Sequence, residues 1–308
     1  MLEISGLNVG FTTSRGEVKA ACDVSLTIEK GETFGMIGES GSGKSVIGMS
    51  ILKLLPASAR MTGSIFFDGE DLITKSERDM QHVRRDSIFL VPQNPSGSLD
   101  PLMKNAEQIA EVFYEQKMGE KEAWARSVGI LRKLNLQDPE RVARQYPHQL
   151  SGGMKQRILV GVSMTAHPRL IVADEPTKGL DRSSRDNVAQ LLKGIGDEER
   201  ALLVITHDID LAEEICDKIA VIYAGEIIEM GRTEEVIKHP RHPYTQGLIR
   251  SVPKNGMMPM LGFSPNLTDL PPGCRFYDRC ESAKRCAECK AIHPDLSEQE
   301  GVWVRCRP

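Results

Sequence analysis

The stretch Gly38-Glu39-Ser40-Gly41-Ser42-Gly43-Lys44-Ser45 decides the fold, because it has the pattern G-x-x-x-x-G-K-[ST] of a phosphate-binding P-loop. A short apolar run at 33–37 precedes it, and residues 46–55 carry apolar side chains at helical spacing. Glycines let the backbone curl around a phosphate with its N–H groups turned inward. We expect Lys44 to reach the β- and γ-phosphates and the Ser45 hydroxyl to ligate Mg²⁺. A plain surface turn is the alternative, but strand, motif and helix together favour a nucleotide site.

The composition is that of an ordinary globular protein, with 308 residues of which 40% are hydrophobic and 27% charged. This length suffices for a large α/β domain and an appendage. The net charge of −4 gives no reason to expect nucleic acid as the main partner. Apolar runs such as 201–205 are too short to cross a bilayer, and no signal peptide is visible. We therefore expect a cytosolic protein whose membrane role, if any, comes through a partner.

Four polar side chains follow buried strands further along the chain. They are Gln93, Asp174, Glu175 and His207. Ligands of α/β sheets bind at the carboxyl ends of the strands. An aspartate there, beside a P-loop, serves Mg²⁺, and the neighbouring glutamate is placed to orient or activate a water. Each residue alone could be an ordinary loop side chain, whereas four at one sheet edge predict a site.

A helical insertion is predicted at 104–165, with helices at 104–116, 120–134 and 154–165 from their periodicity and with turns marked by Pro139 and Pro147. Within it, Ser151-Gly152-Gly153 opens a helix whose N-terminus suits a second anion. An ordinary N-cap is the alternative for these three residues.

Antiparallel strands are predicted at 1–35, where apolar and polar residues alternate. Phe11 follows the first of these strands. Its ring could stack on adenine or could simply be a half-buried side chain at a strand end. The residues alone leave both interpretations open.

Five of the seven cysteines lie in the last 35 residues. They are Cys274, Cys280, Cys286, Cys289 and Cys306. In a reducing cytosol, such clustering favours a metal or an iron–sulfur cluster over disulfides. Zinc is one candidate, because Cys286-x2-Cys289 is a common zinc spacing. Surface thiols without a metal are the remaining alternative.

The order and spacing of these motifs resemble those of ATP-binding cassette (ABC) transporter ATPases over essentially the whole chain. The resemblance rests on the family's aromatic residue, P-loop, Q-loop, signature, Walker B, D-loop and switch histidine. These are Phe11, residues 38–45, Gln93, residues 150–157, residues 170–175, Gly179-Leu180-Asp181 and His207. The resemblance implies an α/β fold with a RecA-like P-loop core, an antiparallel β-subdomain, an α-helical subdomain and a C-terminal extension.

The resemblance also implies a role for each matched residue, with ATP and Mg²⁺ as ligands. The D-loop has Lys178-Gly179 where Thr-Ala is common in the family, but its Asp181 is kept. We therefore expect the function of the D-loop to be tuned rather than lost. The implied roles are adenine stacking by Phe11; phosphate binding by Gly38, Ser40, Gly41, Ser42, Gly43 and Lys44; Mg²⁺ binding by Ser45, Gln93 and Asp174; activation of water by Glu175; contact with the γ-phosphate by His207; the D-loop contact of Asp181; and clamping of the opposing subunit's ATP by Ser151, Gly152 and Gly153.

Two segments near the end of the chain are His239-Pro240-Arg241-His242-Pro243-Tyr244-Thr245 and Leu270-Pro271-Pro272-Gly273-Cys274. They resemble the tail of peptide- and nickel-type importer ATPases. In the dipeptide and oligopeptide members this tail carries Cys-x5-Cys-x6-Cys and a final cysteine, and some members hold a [4Fe–4S] cluster. The matching ligands here are Cys274, Cys280, Cys286 and Cys306. Because the second spacing is one residue short, Cys289 is an alternative third ligand. The resemblance favours iron–sulfur, with zinc as the alternative.

The implied function is ATP hydrolysis that powers uptake of peptides, by a peripheral subunit at the cytoplasmic face of the membrane. We predict a nucleotide-binding domain at 1–238, with its helical subdomain at about 94–165, and a tail at 239–308. The expected partners are transmembrane permease subunits, a second ABC ATPase subunit and an extracytoplasmic solute-binding protein. A nickel or metal-chelate importer is the first alternative. The second, a soluble ABC ATPase acting on DNA or ribosomes, fits less well with a single set of motifs.

Overall fold

Each sequence motif lies at the end of a strand or the start of a helix in the computed structural model, which describes residues 1–14, 16–195, 199–282 and 285–307. The strands are β1 (Leu2–Thr13), β2 (Gly16–Ile28), β3 (Thr33–Ile37), β4 (Ala59–Phe67), β5 (Glu70–Asp71), β6 (Ile88–Val91), β7 (Leu170–Asp174), β8 (Ala201–Thr206), β9 (Lys218–Tyr223), β10 (Glu226–Arg232), β11 (Ser297–Gln299) and β12 (Val302–Val304). The helices are α1 (Lys44–Ile51), α2 (Glu77–Asp86), α3 (Pro95–Ser98), α4 (Asn105–Glu115), α5 (Glu120–Lys133), α6 (Pro139–Arg144), α7 (Gly152–Thr165), α8 (Arg182–Lys193), α9 (Ile209–Ile215), α10 (Thr233–Lys238), α11 (Pro243–Arg250) and α12 (Ala287–Ala291).

The chain divides into two compact units. Residues 1–80 and 204–308 form the first, here called the P-loop unit, and residues 81–203 form the second, the helical unit. The domain boundary at 238 stays a prediction.

An antiparallel sheet in the P-loop unit has the strand order β2-β1-β4-β5. Val24 and Leu26 of β2 are buried, whereas Ser25 and Thr27 between and after them are exposed. This alternation lets one face of the strand pack on the core while the other meets water. The antiparallel region predicted from the sequence is therefore confirmed.

The second sheet region of the P-loop unit contains β3, which runs parallel to β9. Strand β9 pairs antiparallel with β10, and β10 pairs with β12 of the tail, with Glu229 opposite Val304. All five residues of β3 are buried, so the strand delivers the P-loop from the interior of this unit. The sequence did not predict β11 and β12, because three-residue strands are too short to show a period.

In the helical unit, β6 and β7 pair in parallel, from Ile88 opposite Leu170 to Val91 opposite Ala173. Both strands therefore end at the same edge. The predicted helices at 104–116, 120–134 and 154–165 are confirmed as α4, α5 and α7, within two residues at each end. The sequence did not predict α2, in which Met80 is the one buried side chain.

The helices built from the described residues include none with the length and apolar character needed to cross a membrane. The longest, α5 and α7, have 14 residues each. A bilayer requires about 20 consecutive apolar residues.

Candidate nucleotide-binding site

The P-loop closes around its own lysine. Lys44 Nζ donates hydrogen bonds to the carbonyl oxygens of Gly38 and Glu39, each at 2.8 Å. Lys44 is only 4% exposed, although it is a charged residue at the first position of a helix. The ammonium group is thus held at the mouth of the loop, where it can meet the terminal phosphates of a nucleotide.

Gly43, the last glycine of the loop, shows why this sequence folds so tightly. Its backbone has φ 106°, and a Cβ built there would lie 2.1 Å from the carbonyl oxygen of Ala20. A side chain would therefore be strained twice, by the left-handed backbone and by the close approach of β2. The N–H of Gly225, in the turn between β9 and β10, also donates to the Ser42 carbonyl at 2.8 Å. This hydrogen bond holds the P-loop against that turn.

Two further predicted residues lie in the P-loop unit. His207 is exposed and directly follows β8, and Asp208 after it caps α9 by accepting from the Leu211 N–H at 3.0 Å. Phe11 lies near the end of β1, opposite Val18, and is partly exposed. The γ-phosphate and adenine contacts of these two residues stay predictions.

The helical unit gathers the predicted Mg²⁺ and water ligands at one sheet edge. Asp174 is the last residue of β7, and Gln93 lies two residues beyond the end of β6. Asp174 and Glu175 are 8% and 7% exposed. Glu175 has φ 49°, an unusual conformation for a buried residue with a side chain, and such backbones concentrate at functional sites. Gln93, Asp174 and Glu175 therefore lie at or just beyond the ends of two paired strands, and their Mg²⁺ and water roles stay predictions.

The signature segment starts helix α7. Ser151 is its N-cap and accepts from the Met154 N–H at 3.3 Å. A Cβ on Gly152 would meet nothing within 4 Å, whereas a Cβ on Gly153 would lie 2.6 Å from Ser184 Oγ. Gly153 therefore permits close packing against α8, while Gly152 faces open space.

Asp181 begins α8 next to that contact. Its carboxylate accepts from the Ser184 N–H at 3.0 Å and from the Ser184 hydroxyl at 2.7 Å. These hydrogen bonds, chiefly the one from the hydroxyl, lower the pKa of Asp181 below its usual value. The D-loop aspartate is thus an ionised helix cap within its own unit.

Family models match two parts of the chain. Residues 21–178 match the ABC transporter model, and residues 228–289 match the model of the oligopeptide/dipeptide transporter C-terminal region. The oligopeptide transport ATP-binding protein of Bacillus subtilis is 38% identical, over 92% of this chain and 82% of that protein. The chain belongs to the ABC transporter ATP-binding proteins.

Further comparisons agree with this family. The dipeptide transport ATP-binding protein of Bacillus subtilis is 38% identical, over 96% of this chain and 90% of that protein. An ATP-binding cassette solved as a dimer in a post-hydrolysis state with ADP and Pi superposes with a TM-score of 0.68. It is 27% identical, over 76% of this chain and 99% of that one. The predicted ABC ATPase fold is confirmed.

Four cysteines of the tail of this ABC ATPase line one cavity in the P-loop unit. They are Cys274, Cys280, Cys289 and Cys306. The Cys274 N–H donates to the Cys289 carbonyl at 2.8 Å. Burial, followed by the nearby Cys306, raises the pKa of Cys274 to about 11. Cys286 is exposed, with its Sγ 3.0 Å from that of Cys289. Among the described residues, no three His, Cys, Asp or Glu side chains are already arranged as metal ligands.

Sequence reasoning missed a contact between the tail and the P-loop. Arg279 pairs with the Glu39 carboxylate, and the Tyr244 hydroxyl accepts a hydrogen bond from the Glu39 N–H at 2.9 Å. Glu39 is a variable position of the P-loop pattern, and these two partners lie more than 200 residues away in the sequence. The tail motif that contains Tyr244 was the only available signal, and it indicates the subfamily rather than a contact.

Proposed function

We propose that this chain is the ATP-hydrolysing subunit of an ABC importer that takes up di- or oligopeptides. The observation that carries the proposal is the joint match of cassette and tail to peptide-transport ATP-binding proteins, with a complete set of nucleotide motifs. The nickel alternative has no comparable support among the relatives described above.

Within this function, the residues of the P-loop unit bind the nucleotide. Phe11 would stack on adenine, the N–H groups of the loop and Lys44 would hold the phosphates, and His207 would contact the γ-phosphate. The start of α1 adds its dipole to the attraction for the anion.

The helical unit supplies the polar groups for hydrolysis in this proposal. Gln93 and Asp174, together with Ser45 of the P-loop, would hold Mg²⁺. The ion, when bound, neutralises charge that develops on the β- and γ-phosphates. Glu175 would orient and polarise the attacking water, a role that needs an ionised carboxylate held in place.

The signature segment would act on a nucleotide bound by a second ATPase subunit, either a copy of this chain or a related one. The exposed N-terminus of α7 and the open space at Gly152 support this assignment. Closure on ATP and reopening after hydrolysis would then drive transport.

A groove in the helical unit offers a docking place for a permease. It is lined by charged and apolar side chains from α2, α4 and α7, among them Arg84, Arg85, Glu111, Val112 and Val162. Leu102 nearby in sequence is 85% exposed. Charged and apolar side chains together suit contact with a cytoplasmic helix of a transmembrane subunit. This chain would then act at the cytoplasmic face of the membrane. A solute-binding protein would deliver the peptide from outside.

The test of the proposed solute is uptake in cells that lack this gene. Labelled di- and oligopeptide uptake should be lost and should return with the wild-type gene but not with Glu175→Gln. Radioactive nickel uptake in the same cells should be unchanged. Normal peptide uptake, or loss of nickel uptake alone, would contradict the proposed solute.

We also propose that the cysteine cavity holds a [4Fe–4S] cluster, with zinc as the alternative. Four thiolates are the usual donors for both. The cavity lining favours Cys289 as the third ligand, beside Cys274, Cys280 and Cys306, over Cys286. The role would be structural, since ATP hydrolysis needs no electron transfer.

Anaerobic purification with metal analysis tests this cavity. Brown protein with about four irons per chain is expected for the cluster. Cys289→Ser should lose the metal, and Cys286→Ser is the matched control that should keep it. Colourless protein with one zinc per chain would contradict the cluster and support zinc. Metal-free wild-type protein would contradict both assignments.

A further inference from the structure

The tail reaches the P-loop through an ion pair between Arg279 and Glu39. Arg279 Nη2 donates to Glu39 Oε1 at 2.9 Å, and Nη1 donates to Oε2 at 3.0 Å. This fork-to-carboxylate geometry is the strongest arrangement available to such a pair. The Arg279 side chain is 6% exposed and that of Glu39 32%, so water screens the pair only in part.

Further contacts hold both partners in place. The Ser264 hydroxyl donates to Glu39 Oε2 at 3.0 Å. The guanidinium carbon of Arg279 lies 5.7 Å from the ring centroids of both Tyr223 and Phe276, within the range of cation–π attraction. Burial, the largest single influence, lowers the pKa of Arg279, but the hydrogen bonds to Glu39 and Tyr223 and the charges of these two groups together outweigh it and raise that pKa. The guanidinium therefore stays charged at any pH at which the protein is folded.

The backbone of Glu39 is fixed as well. Its N–H donates to Tyr244 Oη at 2.9 Å, and Tyr244 is fully buried, with its ring 4.6 Å from that of Tyr223. Its carbonyl oxygen accepts from Lys44 Nζ at 2.8 Å. The side chain and N–H of Glu39 are thus bound by the tail, while the carbonyl oxygen is bound by the phosphate-binding lysine.

We propose that Arg279 is a positioning residue for ATP binding and hydrolysis, acting through Glu39 on the P-loop and Lys44. Arg279 fixes the carboxylate of Glu39, and Tyr244 fixes its N–H. The two peptide groups on either side of the Glu39 Cα then present the carbonyl oxygens of Gly38 and Glu39 at the positions where they hold the Lys44 ammonium. A tail that merely stabilised the fold would leave ATP affinity unchanged once the protein is folded.

ATP affinity of the complete chain distinguishes these roles. In Arg279→Met, a fluorescent ATP analogue should bind about tenfold more weakly, which corresponds to ~1.4 kcal/mol. Arg279→Lys keeps the charge but loses the fork, so its affinity should lie between that of Arg279→Met and the wild type. Arg241→Met is the matched control, because Arg241 forms an ion pair of 3.0 Å with Glu300. Both residues of this pair belong to the tail, so its loss removes no ion pair to the P-loop. Arg241→Met should lower the midpoint of thermal unfolding without changing the Kd.

A second variant makes the test independent of how well Arg279→Met folds. Glu39→Gln keeps the shape of the side chain and removes its charge, and it should also weaken binding. Because the two residues act through one ion pair, the second substitution should add no further loss of ATP affinity. The double variant should therefore bind ATP as tightly as the single variant with the lower affinity. An unchanged Kd in folded Arg279→Met would overturn the proposal. So would a double variant whose loss equals the product of the two single losses.

Discussion

The glycine-rich starts of helices α1 and α7 in this ABC ATPase differ in how far the rest of the chain buries them. At α1, Lys44 is 4% exposed and bonded to two carbonyl groups of its own loop, and Gly43 touches the backbone of β2. At α7, Ser151 and Gly152 are exposed, and a Cβ on Gly152 would meet nothing within 4 Å. The first start is enclosed by its own chain, whereas the second is open at Ser151 and Gly152.

The difference fits the proposal that the two helix starts make two kinds of phosphate contact. An enclosed loop is organised before the nucleotide arrives, so little reorganisation accompanies binding. An exposed helix start is suited to a phosphate that another subunit brings. The following variants can break or sharpen this distinction.

Lys44→Ala should have the largest effect, because it removes the main point charge on the β- and γ-phosphates. We expect the loss of tight ATP binding by the purified chain, measured by titration with a fluorescent ATP analogue. Unchanged affinity would refute the P-loop assignment.

Glu175→Gln should leave ATP binding intact and slow turnover by about 10²- to 10⁴-fold, the usual contribution of a positioned base. The variant should therefore accumulate as an ATP-bound closed dimer, which sedimentation with ATP and Mg²⁺ detects in the presence of the natural partner. Hydrolysis at the wild-type rate would exclude Glu175 from this role.

The matched variants Gly43→Ala and Gly152→Ala compare the same substitution at the enclosed and at the exposed helix start. Gly43→Ala should lower the midpoint of thermal unfolding and weaken ATP binding, since the added methyl would lie 2.1 Å from the Ala20 carbonyl oxygen. Gly152→Ala should fold as stably as the wild type, because alanine is the better helix former and has room. Its defect should be limited to turnover of the assembled transporter. Equal stability losses in both variants would contradict the comparison.

The sequence predicted most of what is local. The P-loop, the strands before and after it and the helices α4, α5 and α7 follow from period and turn chemistry within short windows. Asp174 and Glu175 were predicted as a Mg²⁺ ligand and a water-activating residue because they directly follow an apolar run, and these roles stay predictions.

What the sequence did not predict depends on contacts between distant residues. Arg279 and Glu39 are 240 positions apart, and neither stands out by type or spacing. The pairing of β12 with β10 is equally non-local. In the tail, the spacing matched Cys286, with Cys289 as the alternative third ligand, whereas the way the chain folds back brings Cys289 to the cavity lined by Cys274, Cys280 and Cys306.

The most direct measurement of the central distinction is ATP binding and turnover of Ser151→Arg in the assembled transporter. The arginine would fill the open space at the start of α7 and would leave every residue of the P-loop unchanged. The account predicts normal affinity of this chain's own P-loop for ATP, together with loss of hydrolysis and transport. Normal transport, or loss of ATP binding by the same chain's P-loop, would contradict it.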